Sequence, residues 1–320
     1  MQPFFKELNS IQGLVCEENV SLAPLTTMKV GGRARLFLTP LTITALERLL
    51  YVIHQQGICY KVLGNGSNII VEDGGVGVVL NLSLLNKIQP SDKDRVYVEA
   101  GCTLSTFLKW CICNGFSGLE PLAGIPGSFG GAIFMNAGAN GVSIGDFIDE
   151  LYITTSTGSF WVKVSNDFFG YRKSYIPTDG LISAAKLRLC QQREEAHSNN
   201  NKKDALWLCD GSRIRNNLKK IMKKRLSSQP LGHPSAGCIF KNPSPDCSAW
   251  SLIAACGLQG FRLRDAQVSP KHANFIVNLG HATSNDVLDL IKLVKERVWE
   301  GTGVALKEEV VVWHHEKDVY

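Results

Sequence analysis

The chain has 320 residues, 44% of them hydrophobic and 20% charged, and a formal net charge of +5. This balance excludes a disordered or fibrous chain and leaves room for one large core or two to three smaller ones. The positive surplus is small and scattered, which suits anionic small molecules and argues against a nucleic-acid surface.

Residues 1–7 lack a basic region followed by an apolar one, and no apolar window of about 18 residues occurs. Neither secretion nor a membrane span is expected, so the reading is a cytoplasmic protein, taken as a monomer. The ten cysteines are irregularly spaced, with Cys111-x-Cys113 and no Cys-x-x-Cys pair. The seven histidines are scattered as well. No metal is expected, and thiols in a reducing compartment are the default.

Residues 43–56 read as an amphipathic helix with Leu46, Leu49, Leu50 and Ile53 on one face. A strand at 59–63 stops at Gly64-Asn65-Gly66-Ser67-Asn68, and short strands follow at 69–71, 78–82 and 96–100. The pattern predicts a helix over 104–113 ending at Asn114-Gly115. A hairpin of 152–155 and 160–164 and a strand at 181–190 come next. The polar run 191–203 is the best domain boundary. Beyond it lie a strand at 205–209, a basic helix at 212–226, a loop at 233–245 and a helix at 248–256 capped by Gly257. A strand at 274–277 precedes a helix at 284–299 with Ser284 near its N-cap, and a last strand covers 305–313. The class is α+β, with a first domain to about residue 195 and a smaller second one.

The chemistry concentrates in glycine. Residues 124–138 hold five glycines in fifteen positions among apolar neighbours. Such density implies backbone that a Cβ would obstruct, either in a buried turn or in a loop against a flat, anionic ligand. Gly64-Asn65-Gly66 follows a strand but lacks a third glycine and a following helix, so it fails the dinucleotide-fold fingerprint. With Gly31-Gly32 there are three glycine-rich turns, and a ligand is preferred over three coincidental turns.

Seven segments, in order, carry a family resemblance. They are 26–32 (TTMKVGG), 63–68 (LGNGSN), 123–138, Tyr171-Arg172-Lys173-Ser174, 234–243 (PSAGCIFKNP), His272-Ala273-Asn274-Phe275 and 306–310 (LKEEV). Over about residues 20–312 the chain resembles the UDP-N-acetylenolpyruvoylglucosamine reductase family, in its shorter subclass without an extra substrate-closing loop. The resemblance implies a two-subdomain FAD-binding fold of the vanillyl-alcohol-oxidase type. It places the FAD region at 1–195, divided near residue 85, and a substrate-binding domain at 196–320 whose last strand returns Glu309 to the flavin. It also implies non-covalent FAD, NADPH as reductant, and reduction of the enolpyruvyl ether of UDP-GlcNAc to UDP-N-acetylmuramate in peptidoglycan precursor synthesis.

By the same resemblance, Gly64, Asn65, Gly66, Ser67, Asn68, Gly124, Ile125, Gly127, Ser128, Gly131, Asn136 and Gly138 would hold the cofactor. Tyr171, Arg225, Lys241 and Asn242 would meet the substrate. Arg172, Cys238 and Glu309 would be catalytic. A guanidinium can grip the substrate carboxylate at two points. Glu309 would steady charge beside it, which calls for a raised pKa, while alternation turns Glu308 to solvent. Cys238 stands where serine is commoner in the family. A thiol is a far stronger acid than an aliphatic hydroxyl and keeps the proton-donor role, with water as the other proton source. The run 219–225 reads as a solvated basic helix face from which Arg225 reaches phosphate, and His272 reads as structural. Asn65 and Arg264 stand where glycine is common in the family, which leaves the conformation of the Arg264 loop open. Two alternatives remain: another FAD-dependent oxidase of the same superfamily, and a non-catalytic nucleotide-binding regulator.

Overall fold

A computed structural model of the chain describes residues 2–92, 94–165, 167–177, 179–191 and 211–315. The boundary run past Gln191 and the strand expected at 205–209 lie outside the described residues. The chain packs as two compact units, each drawn from several stretches. One takes its described residues from 2–15, 39–57 and 82–225, the other from 16–38, 58–81 and 226–315.

The first unit is built on an antiparallel sheet in the order Gly158–Lys163, Ile148–Thr155, Leu181–Arg188, Arg95–Glu99, Ile88–Asp92. Strand alternation sends Leu151, Ile153, Ala185, Leu187, Val96 and Val98 to one buried core. Tyr152, Lys186 and Tyr97 alternate with them along the same strands. The helix Leu104–Cys113, N-capped by the Thr103 side chain, adds Phe107, Leu108 and Cys111 to that core. The Phe107 ring meets Phe129 edge-on at 5.3 Å. The helix Ile43–Gln55 matches its periodicity, burying Ala45, Leu46, Leu49, Leu50 and Ile53 behind a Thr42 cap.

The second unit holds Arg33–Pro40, Val76–Asn81 and Tyr60–Leu63 as parallel neighbours, with Leu14–Ser21 at the sheet's edge. Val76 to Leu80 are all buried, the near-continuous apolar run that parallel strands require. Ser235–Cys238, Phe275–Asn278, Ala266–Val268 and Arg262–Leu263 form a second, antiparallel sheet. The helices Ala249–Ala255 and Ser284–Thr302 share its core through Ile253, Val287, Leu290, Ile291, Val294 and Val298. Val311–Trp313 pairs in parallel with Ile69–Val71.

Several elements differ from the sequence expectation. The helix Gln2–Ser10 and the strands Leu14–Ser21 and Arg33–Pro40 lie outside the elements read from sequence. Leu14–Ser21 buries no residue, so it has no apolar alternation to read. The expected loop 233–245 contains the strand Ser235–Cys238, masked in sequence by Gly237 at φ 78°. The last strand is only Val311–Trp313, because 305–310 is irregular apart from a single bridge between Phe240 and Glu308. Alternation therefore does not govern Glu308, whose carboxylate takes a hydrogen bond from Lys295 Nζ at 2.6 Å. Ser284 does lie next to the N-cap of the last helix, which is Thr283, and Ser284 Oγ accepts the Asp73 N–H at 2.8 Å. Among the described residues, no helix is long and apolar enough to cross a membrane. Among the same residues, no cluster of three or more His, Cys, Asp or Glu side chains has the placement to hold a metal ion.

Candidate active site

In the second unit, the turn Gly64–Asn68 rests directly on residues 25–27. Gly66, at φ 60°, lies so close that a Cβ there would fall 2.4 Å from the Leu25 carbonyl oxygen. Only glycine fits that approach. Thr27 Oγ1 lies 3.3 Å from the Gly66 carbonyl and donates to the Ser235 carbonyl at 2.7 Å, and the Thr27 N–H donates to Gly66 at 3.0 Å. One threonine thus joins the turn to the strand that ends at Cys238. Asn68 Nδ2 donates to the Glu309 carbonyl at 3.1 Å, and its own carbonyl accepts the Val311 N–H at 2.9 Å. The Glu309 N–H donates to the Ile239 carbonyl at 2.8 Å. The turn, the strand end at Cys238 and Glu309 are thereby gathered in one hydrogen-bonded cluster.

Within that cluster Cys238 is a half-buried thiol. Asn65 is exposed, Gly64, Ser67, Asn68 and Lys241 are half-buried, and Asn242 is exposed with its Oδ1 accepting the Ala249 N–H at 3.1 Å. Nearby, the His272 ring sits edge-on to Phe275 at 4.9 Å and 6.3 Å from the Trp250 ring. Burial pushes its pKa below the usual imidazole value.

The glycine-rich run belongs to the first unit. It is more structured than a loop: Phe129–Phe134 is helical, with Ser128 Oγ accepting the Gly131 N–H at 3.3 Å as the N-cap. Gly124 and Gly127 sit at φ 77° and 146°. The N–H groups of Phe129 and Gly130 bond to the Cys102 and Ala100 carbonyls at 2.7 and 2.8 Å, so these two serve the fold. Asn136, itself at φ 40°, donates to the Gly170 carbonyl at 2.9 Å and accepts the Gly145 N–H at 3.1 Å. Ile125 packs against the unit's core. Arg172 Nη2 donates to the Gly138 carbonyl at 3.2 Å, and its guanidinium stands 5.2 Å from the ring of the exposed Tyr171. On the other side of the run, a Cβ on Gly124 would fall 2.9 Å from Arg225 Cδ. The lysines 219, 220, 223 and 224 on the helix Gly211–Ser228, which also carries Arg225, are exposed.

The predicted residues therefore assemble in two groups. Cys238 and Glu309 gather with 64–68 in the second unit, while Arg172, Tyr171 and Arg225 surround 124–138 in the first. Neither glycine segment carries a charged side chain. Glycine N–H groups with serine and asparagine side chains suit the diphosphate of a dinucleotide, so the residues present fit the implied cofactor. Sequence reasoning assigned no role to Thr27, Asn274 or Asn278. The signal for the two asparagines was available, since each is a polar residue flanking an apolar strand, Asn274-Phe-Ile-Val-Asn278, and is almost fully buried.

The profile for "UDP-N-acetylenolpyruvoylglucosamine reductase, C-terminal domain" matches residues 229–313, and one described as "FAD binding domain" matches residues 34–162. UDP-N-acetylenolpyruvoylglucosamine reductase of Syntrophobacter fumaroxidans is 36% identical over 97% of this chain and 87% of its own. That of Pseudothermotoga lettingae is 40% identical over 90% of this chain and 94% of its own. The crystal structure of the Thermus caldophilus reductase superposes with a TM-score of 0.76 at 33% identity, covering 94% of this chain and all of the other. With this identity sustained along nearly its whole length, the chain belongs to the UDP-N-acetylenolpyruvoylglucosamine reductase family.

Proposed function

We propose that this chain reduces the enolpyruvyl ether of UDP-GlcNAc-enolpyruvate to UDP-N-acetylmuramate, with NADPH as the reductant. The observation that carries this reading is the hydrogen-bonded cluster of Asn68, Ile239 and Glu309 beside Cys238. It gathers the chain segments that carry Cys238 and Glu309 at a glycine turn suited to a dinucleotide. Residues of 64–68 and 124–138 would hold FAD, which when bound supplies a two-electron carrier for hydride.

The remaining work falls to side chains. Arg172 grips the substrate carboxylate, onto which charge spreads when hydride reaches the methylene carbon. Glu309 steadies that charge. The Cys238 thiol gives one proton to the adjacent carbon. Tyr171, Arg225, Lys241 and Asn242 orient the nucleotide end, with Arg225 at the phosphates. The domain scheme is carried with the proposal: an FAD region over 1–195 divided near residue 85, and a substrate-binding domain over 196–320. A cytoplasmic monomer is the proposed working form.

The test is spectroscopic. The purified protein should be yellow, release its flavin on denaturation, and bleach with NADPH. Under anaerobic conditions the colour should return with UDP-GlcNAc-enolpyruvate and not with alcohols or aldehydes. A protein reoxidised equally well by an unrelated acceptor, or one without flavin, would overturn the proposal.

A further inference from the structure

We infer that Asn274, in the His272-Ala273-Asn274-Phe275 segment, is a positioning residue that sets Cys238 and Glu309 at their mutual spacing. The inference rests on the proposed roles of those two residues.

Its basis is the backbone of residues 239–241, which links the two. Asn274 is 3% exposed. Its Oδ1 accepts the Phe240 N–H at 2.9 Å and its Nδ2 donates to the Phe240 carbonyl at 2.8 Å. Its own carbonyl accepts the Ile239 N–H at 2.9 Å. On the opposite edge, the Ile239 carbonyl accepts the Glu309 N–H at 2.8 Å, and the Lys241 N–H donates to the Lys307 carbonyl at 2.9 Å. Phe240 and Glu308 are bridge partners. The segment leaving Cys238 is thus clasped by Asn274 on one side and by the chain carrying Glu309 on the other.

The residue type follows from this place in the sheet. Cys238 is paired with Phe275, the first residue of its strand, and the last backbone bond between the two segments is that from the Ile239 N–H to the Asn274 carbonyl. At the next step a side chain replaces the missing strand. Engaging both the N–H and the C=O of one residue needs a donor and an acceptor side by side, which only a carboxamide supplies. Aspartate lacks the donor, alanine lacks both, and glutamine is one methylene too long. Both Phe240 groups are buried, so no water stands ready to replace the amide. Without it, the strand end is held from the side of residues 307–309 but loses its side-chain anchor on the other, and small misplacements of reacting groups are costly.

The test uses the flavin-loaded enzyme in anaerobic stopped flow, with rates taken per bound flavin. For Asn274→Asp and Asn274→Ala, flavin reduction by NADPH should stay within about twofold of wild type, while reoxidation by UDP-GlcNAc-enolpyruvate falls about a hundredfold, in kcat more than in KM. Equal losses in both half-reactions, or wild-type rates in both, would overturn the inference. Cys238→Ala and Glu309→Gln serve as controls. If those variants keep a normal second half-reaction, the assigned roles fail; if they lose it and the Asn274 variants do not, only the positioning role fails. Should neither variant fold, hydrogen exchange on the wild-type holoenzyme decides. The Phe240 and Glu309 amides should rank among the slowest, and rapid exchange at either would overturn the clasp.

Discussion

At the scale of single residues, the proposed chemistry turns on two side chains of unequal tolerance. In the proposed reaction Cys238 contributes one proton, and a serine hydroxyl can replace the thiol with the same reach. Cys238→Ser should therefore remain largely active, whereas Cys238→Ala should keep flavin reduction by NADPH and lose the enolpyruvyl half-reaction by about 10²–10⁴-fold. Stopped-flow reoxidation checks this, and equal loss in both halves would remove the donor role. Arg172 tolerates less. Its backbone is at φ 54°, and one guanidinium nitrogen is already committed to the Gly138 carbonyl at 3.2 Å. A lysine carries the charge but cannot bond a backbone carbonyl and grip a carboxylate in one plane. Arg172→Lys should lower kcat/KM for the enolpyruvyl substrate by about 10–100-fold, roughly one lost charge-assisted hydrogen bond. An unchanged kcat/KM would exclude Arg172 from the carboxylate.

At the scale of elements, the helix Ser284–Thr302 shows how the second unit is fastened. Thr283 and Asp286 form a capping box, with the Asp286 N–H on Thr283 Oγ1 at 3.1 Å and the Thr283 N–H on Asp286 Oδ2 at 3.0 Å. Arg264, at φ 49°, reaches Asp286 Oδ1 at 2.7 Å. That ion pair ties the left-handed loop at Arg264 to the helix start. Burial alone would raise the Asp286 pKa, but the Thr283 hydrogen bonds and Arg264 together hold it below the usual carboxylate value. A carboxyl with a lowered folded pKa stabilises the fold above its unfolded value and loses that contribution as pH falls through the folded one. Asp286→Ala should thus cost about 1 kcal/mol at neutral pH, and its deficit against wild type should shrink below about pH 4. Thermal melts across pH 3–7 check the sign, and a deficit that grows on acidification would refute it.

At the scale of the whole molecule, the second unit is closed by contacts between distant parts of the chain. Val311–Trp313 lies alongside Ile69–Val71, and Trp313, 5% exposed, packs with Leu22, Phe37, Leu63 and Val79. Trp313→Ala should destabilise the unit by about 3–5 kcal/mol and lower the flavin content of the purified protein. Urea unfolding and the flavin-to-protein absorbance ratio measure both, and an unchanged melt would deny this strand its closing role. The sequence by itself determined what local signals encode. The helical periodicity of 43–55 and 104–113, the glycine turns at 64–68 and 124–138, and the family's ordered motifs were all legible because each lies within a few consecutive residues. The strand Leu14–Ser21 and the helix within 129–134 were not, since one buries nothing and the other is hidden by its glycines. Only the tertiary structure decided that residues 16–38 and 58–81 pack with the C-terminal stretch, that Glu309 follows irregular backbone, and that Asn68, Ile239 and Asn274 bring Glu309 beside Cys238. Apart from the Asn68 and Asn274 carboxamide bonds, those arrangements rest on hydrogen bonds between backbone groups far apart in the sequence, such as that from the Val311 N–H to the Asn68 carbonyl. Such bonds are common to every residue type, so they leave no periodicity and no composition from which to read them.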